Sequence, residues 1–230
     1  MDSRKRVRDF FRGTNDTTAA RAKGADNNLA MKIPLFPLDL VLLPGAPLPL
    51  HIFEERYREM FRVCMAEGLE FGVVRAQEDG LAVVGCTASI GRVLHRYPDG
   101  RFDVACRGEL RFEIELLDDS RAYLQAEVDF VEDDGPEATR EEREQCAALH
   151  FEAMELARLD VAMPHLDLDR PIAFPLAATL PADLDFKQQL LTMRSDAGRT
   201  HKLQEFYEML LPRLRAGARA SKISGNGHVM

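Results

Sequence analysis

Five prolines fall between residues 34 and 49, within the apolar segment Ile33–Gly45 and the residues that follow it. Proline lacks a backbone N–H donor and restricts the preceding residue to extended geometry, so this part of the chain cannot form a helix. It must be strand and turn. The same prolines, with Asp39, interrupt the most apolar stretch of the sequence, and no run of about 18 apolar residues exists to cross a membrane.

The next segment has helical periodicity. Apolar residues recur at intervals of three and one, which places them on one stripe of a helix from about Glu54 to Glu67. Gly68 is the residue type that ends helices in a left-handed conformation. The stripe consists of Tyr57, Met60, Phe61, Cys64 and Met65.

From residue 69 to residue 131 the apolar period changes to two, which predicts six or seven short strands. Turn-forming residues separate these strands, and Pro98-Asp99-Gly100 is the strongest hairpin signal among them. The other predicted breaks are Glu78-Asp79-Gly80, Arg107-Gly108 and Asp118-Asp119-Ser120. Short strands with one early helix predict a small, closed or nearly closed barrel.

After residue 132 the pattern is helical again. Capping residues and apolar stripes predict helices over Glu137–Leu159, Ile172–Leu180, Asp183–Met193 and from Ser195 or Asp196 to about Arg215. Pro212 predicts a kink in the last helix or an earlier end. The predicted division is a disordered tail at 1–32, a barrel at 33–131, a helical bundle at 132–215 and a disordered tail at 216–230.

Charge and cysteine content limit the classes of function. The chain has 38 acidic and 30 basic residues, a net charge of −8, and the excess of acid lies in both predicted folded regions. A basic face dominates nucleic-acid binding, so nucleic acid is disfavoured as a partner. Cys64, Cys86, Cys106 and Cys146 contain no CxxC pair, which favours free buried thiols in a cytoplasmic protein over zinc or disulfide sites.

Motifs for catalysis are sparse. No glycine precedes any lysine, so a phosphate-binding Gly-Lys-Ser/Thr loop is absent, and no HExxH occurs. Ser89 is predicted in a strand and not at a nucleophile elbow. His165, Asp167 and Asp169 alternate in a loop and could ligate a metal, although solvation of the loop is favoured. His51 could pair with Cys64, but the helical stripe favours a core position for Cys64.

Five segments in a fixed order resemble the amino-terminal substrate-binding domain of Lon proteases. They are Ile33–Gly45, Leu48–Tyr57, Val84–Ile90, Asp99–Val104 and Gly108-x-x-Arg-Phe112. Residues from Phe174 to Leu191, with Lys187-Gln188, resemble the helical extension of the same family. The resemblance implies an α+β fold, a PUA-like β-barrel with one inserted helix followed by a C-terminal helical bundle. It also implies a role in holding polypeptides.

The resemblance and the missing motifs together predict a stand-alone, non-enzymatic module, without the ATPase and Ser-Lys peptidase parts of Lon. No cofactor or metal is predicted, and the expected partners are exposed apolar or extended polypeptide segments of unfolded clients, in a role related to proteolysis. Predicted contact residues are Leu42, Pro44, His51, Phe53, Arg56 and Tyr57. An RNA-binding barrel, a metal-dependent or small-molecule enzyme, and a homo-oligomeric role remain as alternatives.

Overall fold

A computed structural model describes residues 31–78, 80–159 and 166–225 of the chain. The strands are β1 (Met31–Leu38), β2 (Pro47–Ile52), β3 (Phe71–Gln77), β4 (Gly80–Leu81), β5 (Val84–Arg96), β6 (Phe102–Asp118) and β7 (Gln125–Phe130). The helices are α1 (Glu55–Glu67), α2 (Arg140–Ala157), α3 (Ala173–Thr179), α4 (Leu184–Thr192) and α5 (Asp196–Gly225). The mixture confirms the predicted α+β class.

Five strands close into a ring. The order β1-β7-β6-β5-β3 returns to β1 because β1 pairs in parallel with β3 and antiparallel with β7. β4 is a short strand that pairs antiparallel with the end of β3, and β2 pairs with β6 outside the ring. The closure agrees with the predicted closed sheet, and a small apolar cluster fills it: Ile33, Leu35, Val74, Phe112, Ala126 and Val128.

The proline-rich stretch forms β1, a turn and β2, as predicted. Pro47 and Pro49 lie on β2, which has a strand neighbour on one side only, the position in a sheet where proline is tolerated. The predicted break at Arg107-Gly108 is wrong, since β6 continues through both residues. A Cβ at Gly108 would lie 2.3 Å from the Leu43 carbonyl oxygen, so this glycine permits close packing of the turn against β6.

Helix α1 matches its predicted span within one residue. Tyr57, Met60, Phe61 and Cys64 are buried, and Gly68 ends the helix at φ 67°. Phe61 packs between Phe71 and Phe102, with ring centroids at 4.9 and 5.8 Å. The helix therefore covers one face of the sheet through an aromatic core.

Two of the later helices begin at predicted capping residues, whereas α2 begins at Arg140, three residues after its predicted start at Glu137. Thr139 forms a capping box with Glu142 at α2, Asp183 accepts a hydrogen bond from the Phe186 N–H at α4, and Ser195 Oγ accepts one from the Gly198 N–H at α5. All three starts depend on short-range side-chain chemistry; those at Asp183 and Ser195 were predicted from the sequence, and the cap at Thr139 was not.

The two ends of the described chain differ from the sequence-based division. β1 begins at Met31, two residues inside the predicted tail, and residues 1–30 lie outside the described part. α5 continues to Gly225, past the predicted helix end near Arg215, and residues 226–230 are not described. Pro212 is exposed inside α5, where water can solvate the carbonyl that loses its donor, and it does not end the helix.

A buried ionic network joins the sheet to the helices. Arg111 donates to the Leu191 and Met193 carbonyl oxygens at 3.0 and 2.6 Å, and Arg199 and Arg111 both bind Asp133. Burial pushes the pKa of Asp133 upward, but the hydrogen bonds and charge of Arg199 and Arg111 outweigh it and hold that pKa below its usual value. The helical region is thereby fixed against β6.

In the described part of the chain, none of the helices is long and apolar enough to cross a bilayer.

Candidate functional site

Outside the ring, β2, β6 and the second half of β5 form a three-stranded sheet with two different faces. Directly opposed residues share a face, because side chains alternate along each strand. Ile52, Phe102 and Arg96 form one such row, on the side covered by α1. His51 and His95, the residues adjacent to that row, flank Asp103 on the other face. The uncovered face therefore carries imidazoles around a carboxylate.

We use the name aromatic face for His51, Phe53, His95 and Tyr97. The His51 ring stacks on Phe53, with centroids 6.0 Å apart and planes inclined by 22°, and meets Tyr97 edge-on at 5.5 Å. The His95 ring meets the Tyr97 ring edge-on, with centroids 4.5 Å apart. Phe53 is 60% exposed, although large apolar side chains are normally buried. The rings thus form a connected surface open to solvent.

Asp103 holds the aromatic face in place. Its carboxylate accepts hydrogen bonds from His51 Nδ1 at 2.6 Å and from the Tyr97 hydroxyl at 3.0 Å. The hydrogen bond from His51 is the main reason that the pKa of Asp103 lies below its usual value, and the Asp103 carboxylate in turn raises the pKa of Tyr97. An ionised carboxylate therefore orients two of the four rings.

The six contact residues predicted from sequence do not form one surface. His51 and Phe53 stack on the aromatic face, whereas Leu42 and Tyr57 are buried. The Tyr57 ring packs on the Phe36 ring in the core, with centroids 4.2 Å apart, because the position of Tyr57 on the apolar stripe of α1 turns it inward. Leu42 and Tyr57 are therefore packing residues and offer no contact area.

The other two predicted residues lie at either side of β2. Pro44 is half-buried in the turn before β2. Arg56 is exposed at the start of α1, where Nε donates to Glu54 Oε2 at 2.9 Å and the guanidinium covers the Tyr57 ring at 4.6 Å. Arg56 is thus already engaged by its neighbours in sequence.

Three residues that complete this surface were missed from sequence: His95, Tyr97 and Asp103. Each lies in or beside the predicted β5–β6 hairpin, and their alternation on opposite sides of Pro98-Asp99-Gly100 was the available signal. Assigning them to the same face as His51 required the register of β2 on β6, which joins residues about 50 positions apart. A single sequence does not supply that register.

The other chemical candidates from the sequence have structural roles. Cys64 is buried on the α1 side of the sheet, away from His51, and burial raises its pKa to about 12, which keeps the thiol protonated. Asp167 pairs with Arg170, and Asp169 pairs with Arg140. His165 lies outside the described residues. No group of three or more metal-ligating side chains meets within the ranges that the structure covers.

Comparison with known proteins identifies related chains. A family model described as the ATP-dependent protease La (LON) substrate-binding domain matches residues 32–208. A Lon protease from Parabacteroides distasonis is 33% identical over 121 residues, which is 49% of this chain and 15% of the relative. This chain therefore spans a small part of the length of that protein.

Two solved structures have a similar fold. A Lon N-terminal domain protein from Xanthomonas campestris superposes with a TM-score of 0.61 and 29% identity, over 75% of this chain and 96% of that one. The N-terminal domain of a Mycobacterium avium complex Lon protease superposes with a TM-score of 0.58 and 23% identity, over 77% and 98% of the two chains. The second likeness concerns the fold alone.

Proposed function

The chain belongs to the family of LON substrate-binding domains, and from that premise we propose that it binds exposed apolar or extended segments of unfolded polypeptides through its aromatic face. The single observation that supports this choice of surface is the solvent-exposed stack of Phe53 on His51, whose ring donates a hydrogen bond to the Asp103 carboxylate. The proposed role is recognition of clients in protein quality control, in a cytoplasmic setting.

The composition of the aromatic face suits a polypeptide partner. Aromatic side chains are enriched at the centres of protein interfaces, since they bury a large apolar area with few rotatable bonds. Because Asp103 already restrains His51 and Tyr97, binding would order fewer side chains and would lose less entropy.

We propose further that this part of the molecule binds without catalysing a reaction. Burial raises the pKa of Cys106 and of Cys146 to about 12, so these thiols stay protonated and unreactive near neutral pH. Ser89 lies within strand β5, and its hydroxyl donates to Glu109 Oε1 on the neighbouring strand β6 at 2.7 Å, so this hydroxyl is already engaged within the sheet. Incubation with a quenched fluorescent casein, with and without ATP, is expected to release no fluorescence above buffer, and release proportional to this chain would contradict the proposal.

The binding proposal is tested by anisotropy titration of a fluorescein-labelled, uncharged short peptide of alternating Phe, Leu, Ser and Thr. Phe53→Ala is expected to weaken binding about tenfold, since removal of an interface anchor costs more than about 1 kcal/mol. Met209→Ala is the matched control, because Met209 is 69% exposed on α5 and lies outside the aromatic face. Equal affinity of Phe53→Ala and the wild type would rule out this surface.

Asp103→Asn provides a second variant that retains the aromatic rings. Loss of the carboxylate removes the charge that orients His51 and Tyr97, so a smaller loss of affinity is expected, about threefold, with unchanged thermal stability. An affinity at least as high as that of the wild type would show that the restraint of the rings does not contribute.

A further inference from the structure

A groove lies on the other side of the same three-stranded sheet, between α1 and β5. Its wider part is a cavity of about 480 Å³ lined by Arg58, Arg62, Met65, Arg96 and Phe102. A second cavity of about 340 Å³ shares Met65 and continues between the end of α1 and the residues of β5 from Ser89 to Val93. We call the two cavities together the arginine groove.

The larger cavity of the groove is lined by arginines, two of them without a carboxylate partner among the described residues, and by the apolar side chains of Met65 and Phe102. Arg62 and Arg96 are exposed, and neither has a carboxylate within 4.0 Å among the described residues. Arg58 is held in the wall, donating to the Asp99 carbonyl oxygen at 3.1 Å and pairing with Glu55. In a chain of net charge −8, three arginines around one cavity form an electropositive site that suits a carboxylate.

The strand that borders the groove has an unpaired edge. β3 pairs with β5 only as far as Ala88, and beyond it β5 has β6 as its sole strand neighbour in the described part of the chain. The opposite edge of this sheet, β2, is protected by Pro47 and Pro49, which have no N–H to offer. Residues 89–96 contain no proline, and the register of β5 on β6 is irregular between Ile90 and Arg92 and between Val93 and His95, so the outward N–H and C=O groups can pair with an added strand over the short stretches beside these irregularities.

We propose that the arginine groove binds an extended acidic segment of another polypeptide, which pairs along residues 89–96 of β5 and places its carboxylates between Arg62 and Arg96. This inference rests on the proposed role in binding polypeptides, but it uses a surface separate from the aromatic face. It specifies a second class of segment, recognised by charge and main-chain pairing and not by apolar contact.

The second cavity contains the acidic residue Glu70, which determines the end of the groove at which a bound segment can place its carboxylates. Glu70 lines the second cavity, its Oε2 atom is buried without a hydrogen-bond partner, and burial raises its pKa. Glu109 lies close enough to add to that increase. The acidic residues of the segment therefore belong at the arginine end, with uncharged residues along Glu70.

Two other occupants fit the groove less well. A second copy paired edge to edge through β5 would place Arg92 and Arg96 of one chain against those of the other, and like charges opposite one another destabilise strand pairing. RNA has phosphates but no peptide backbone to pair with β5, and Glu55, Glu59 and Glu67 on α1 would repel a long polyanion.

The test is an anisotropy titration of the whole chain with a fluorescein-labelled peptide of alternating Val and Thr whose leading residues are Glu. Matched probes are the same peptide with Gln in place of Glu, the Glu peptide N-methylated at alternate residues, and a short single-stranded oligouridine. The variant Arg62→Ala/Arg96→Ala is compared with Arg213→Ala/Arg219→Ala, which changes two exposed arginines on α5. Circular dichroism confirms that each variant is folded.

We expect the Glu peptide to bind wild type and the α5 variant equally, and the groove variant about tenfold more weakly. The Gln and N-methylated peptides are expected to bind wild type at least about tenfold more weakly than the Glu peptide. Equal binding of the Glu and Gln peptides, no effect of the groove variant, tighter binding of oligouridine, or a dimer lost in the groove variant would each overturn the proposal.

The uncharged Phe/Leu peptide separates this test from that of the aromatic face. Its binding to Arg62→Ala/Arg96→Ala is expected within twofold of wild type, because the changed residues lie on the other side of the sheet. Failure of the Glu peptide with normal binding of the Phe/Leu peptide overturns the groove proposal alone. Failure of the Phe/Leu peptide with normal binding of the Glu peptide overturns the aromatic face alone.

Discussion

The sheet region and the helical region are stabilised in different ways. Under α1 the core is aromatic and apolar, with Phe36, Phe61 and Phe71 in mutual ring contact. In the helices the buried side chains of the described chain include charged and polar groups: Arg143, His150, Asp196, Arg199 and Thr200. The sheet has two buried polar or charged side chains in its described part, Thr87 and Arg111, and Arg111 donates to a carbonyl oxygen of the helical region.

This difference in stabilisation suggests different roles: the sheet region carries the binding surface, and the helical region supports the structure. Apolar packing beneath β2, β5 and β6 leaves their outer face free to carry exposed rings, since the sheet does not need those rings for its core. Buried ionic groups tolerate little change in geometry or protonation, which suits a support and not an adaptable surface. Stability in the helices should therefore depend on single polar atoms and on pH, and stability in the sheet on shape.

The largest effect is expected from Asp196→Ala. This carboxylate is 1% exposed, binds Arg143 at 2.9 Å and accepts from the Ala138 N–H at 3.1 Å. Its removal leaves the buried Arg143 guanidinium with only the exposed Glu137, at 3.5 Å, as a carboxylate partner, so the free energy of unfolding should fall by about 3–5 kcal/mol, measured by urea denaturation. Glu144→Ala, which removes an exposed partner of Arg140, is the control and should have little effect. Similar losses in both variants would remove the distinction between buried and exposed pairs.

A pH-dependent loss of stability should come from His150. This imidazole is fully buried between Tyr207 and Thr179, and burial lowers its pKa from 6.5 to about 4. Between these values the unfolded chain binds a proton that the folded chain does not, so stability falls as the pH drops through that window, by about 3 kcal/mol over the whole window and about 2 kcal/mol between about pH 7.5 and about pH 5. Urea denaturation at about pH 7.5 and about pH 5 measures it.

His150→Gln is the variant that isolates this contribution, because glutamine has hydrogen-bonding groups and no titrating ring. Its unfolding free energy should depend less on pH over the same window than that of the wild type. An unchanged pH dependence would assign the effect to other groups and would remove pH sensitivity from the description of the helical region.

A smaller effect is expected from Gly108→Ala in the sheet. The new Cβ would lie 2.3 Å from the Leu43 carbonyl oxygen, so the turn before β2 must shift, at a cost of about 1–3 kcal/mol. Because no charge is involved, the loss should be the same at both pH values of the previous experiment. A loss that changes with pH would break the contrast between the regions.

The smallest predicted change has the opposite sign. Gly217 lies within α5, where an added methyl group would have no neighbouring atom within 4 Å, so Gly217→Ala should stabilise the chain by about 0.5–1 kcal/mol. Thermal unfolding of this variant beside Gly108→Ala compares an open glycine with an enclosed one. Destabilisation by Gly217→Ala would contradict the continuous helix through residue 217.

Sequence reasoning succeeded where structure depends on near neighbours. The α1 stripe with Gly68, the Pro98–Gly100 turn and the capping residue Asp183 all act over a few positions. The predicted helix end near Arg215 is wrong because Pro212 is exposed, where water can solvate the carbonyl that loses its donor, and the Ala and Arg residues that follow it favour a helix.

The site was less predictable because it depends on distant partners. Arg107-Gly108 has the composition of a turn, but Gly108 is required by the approach of Leu43, about 65 positions away. Asp103 joins His51 to Tyr97 only through the pairing of β2 with β6. Arg62 and Arg96 come together because α1 packs on the β5–β6 hairpin. None of these pairings leaves a local pattern in one sequence.

The central claim, that the aromatic face is the surface that holds polypeptides, is tested most directly by amide hydrogen exchange of the whole chain with and without saturating Phe/Leu peptide. The account predicts slower exchange at His51–Phe53 and at His95–Tyr97, with unchanged exchange in α2 and α5. Protection confined to the helices, with bound peptide confirmed by anisotropy, would contradict it.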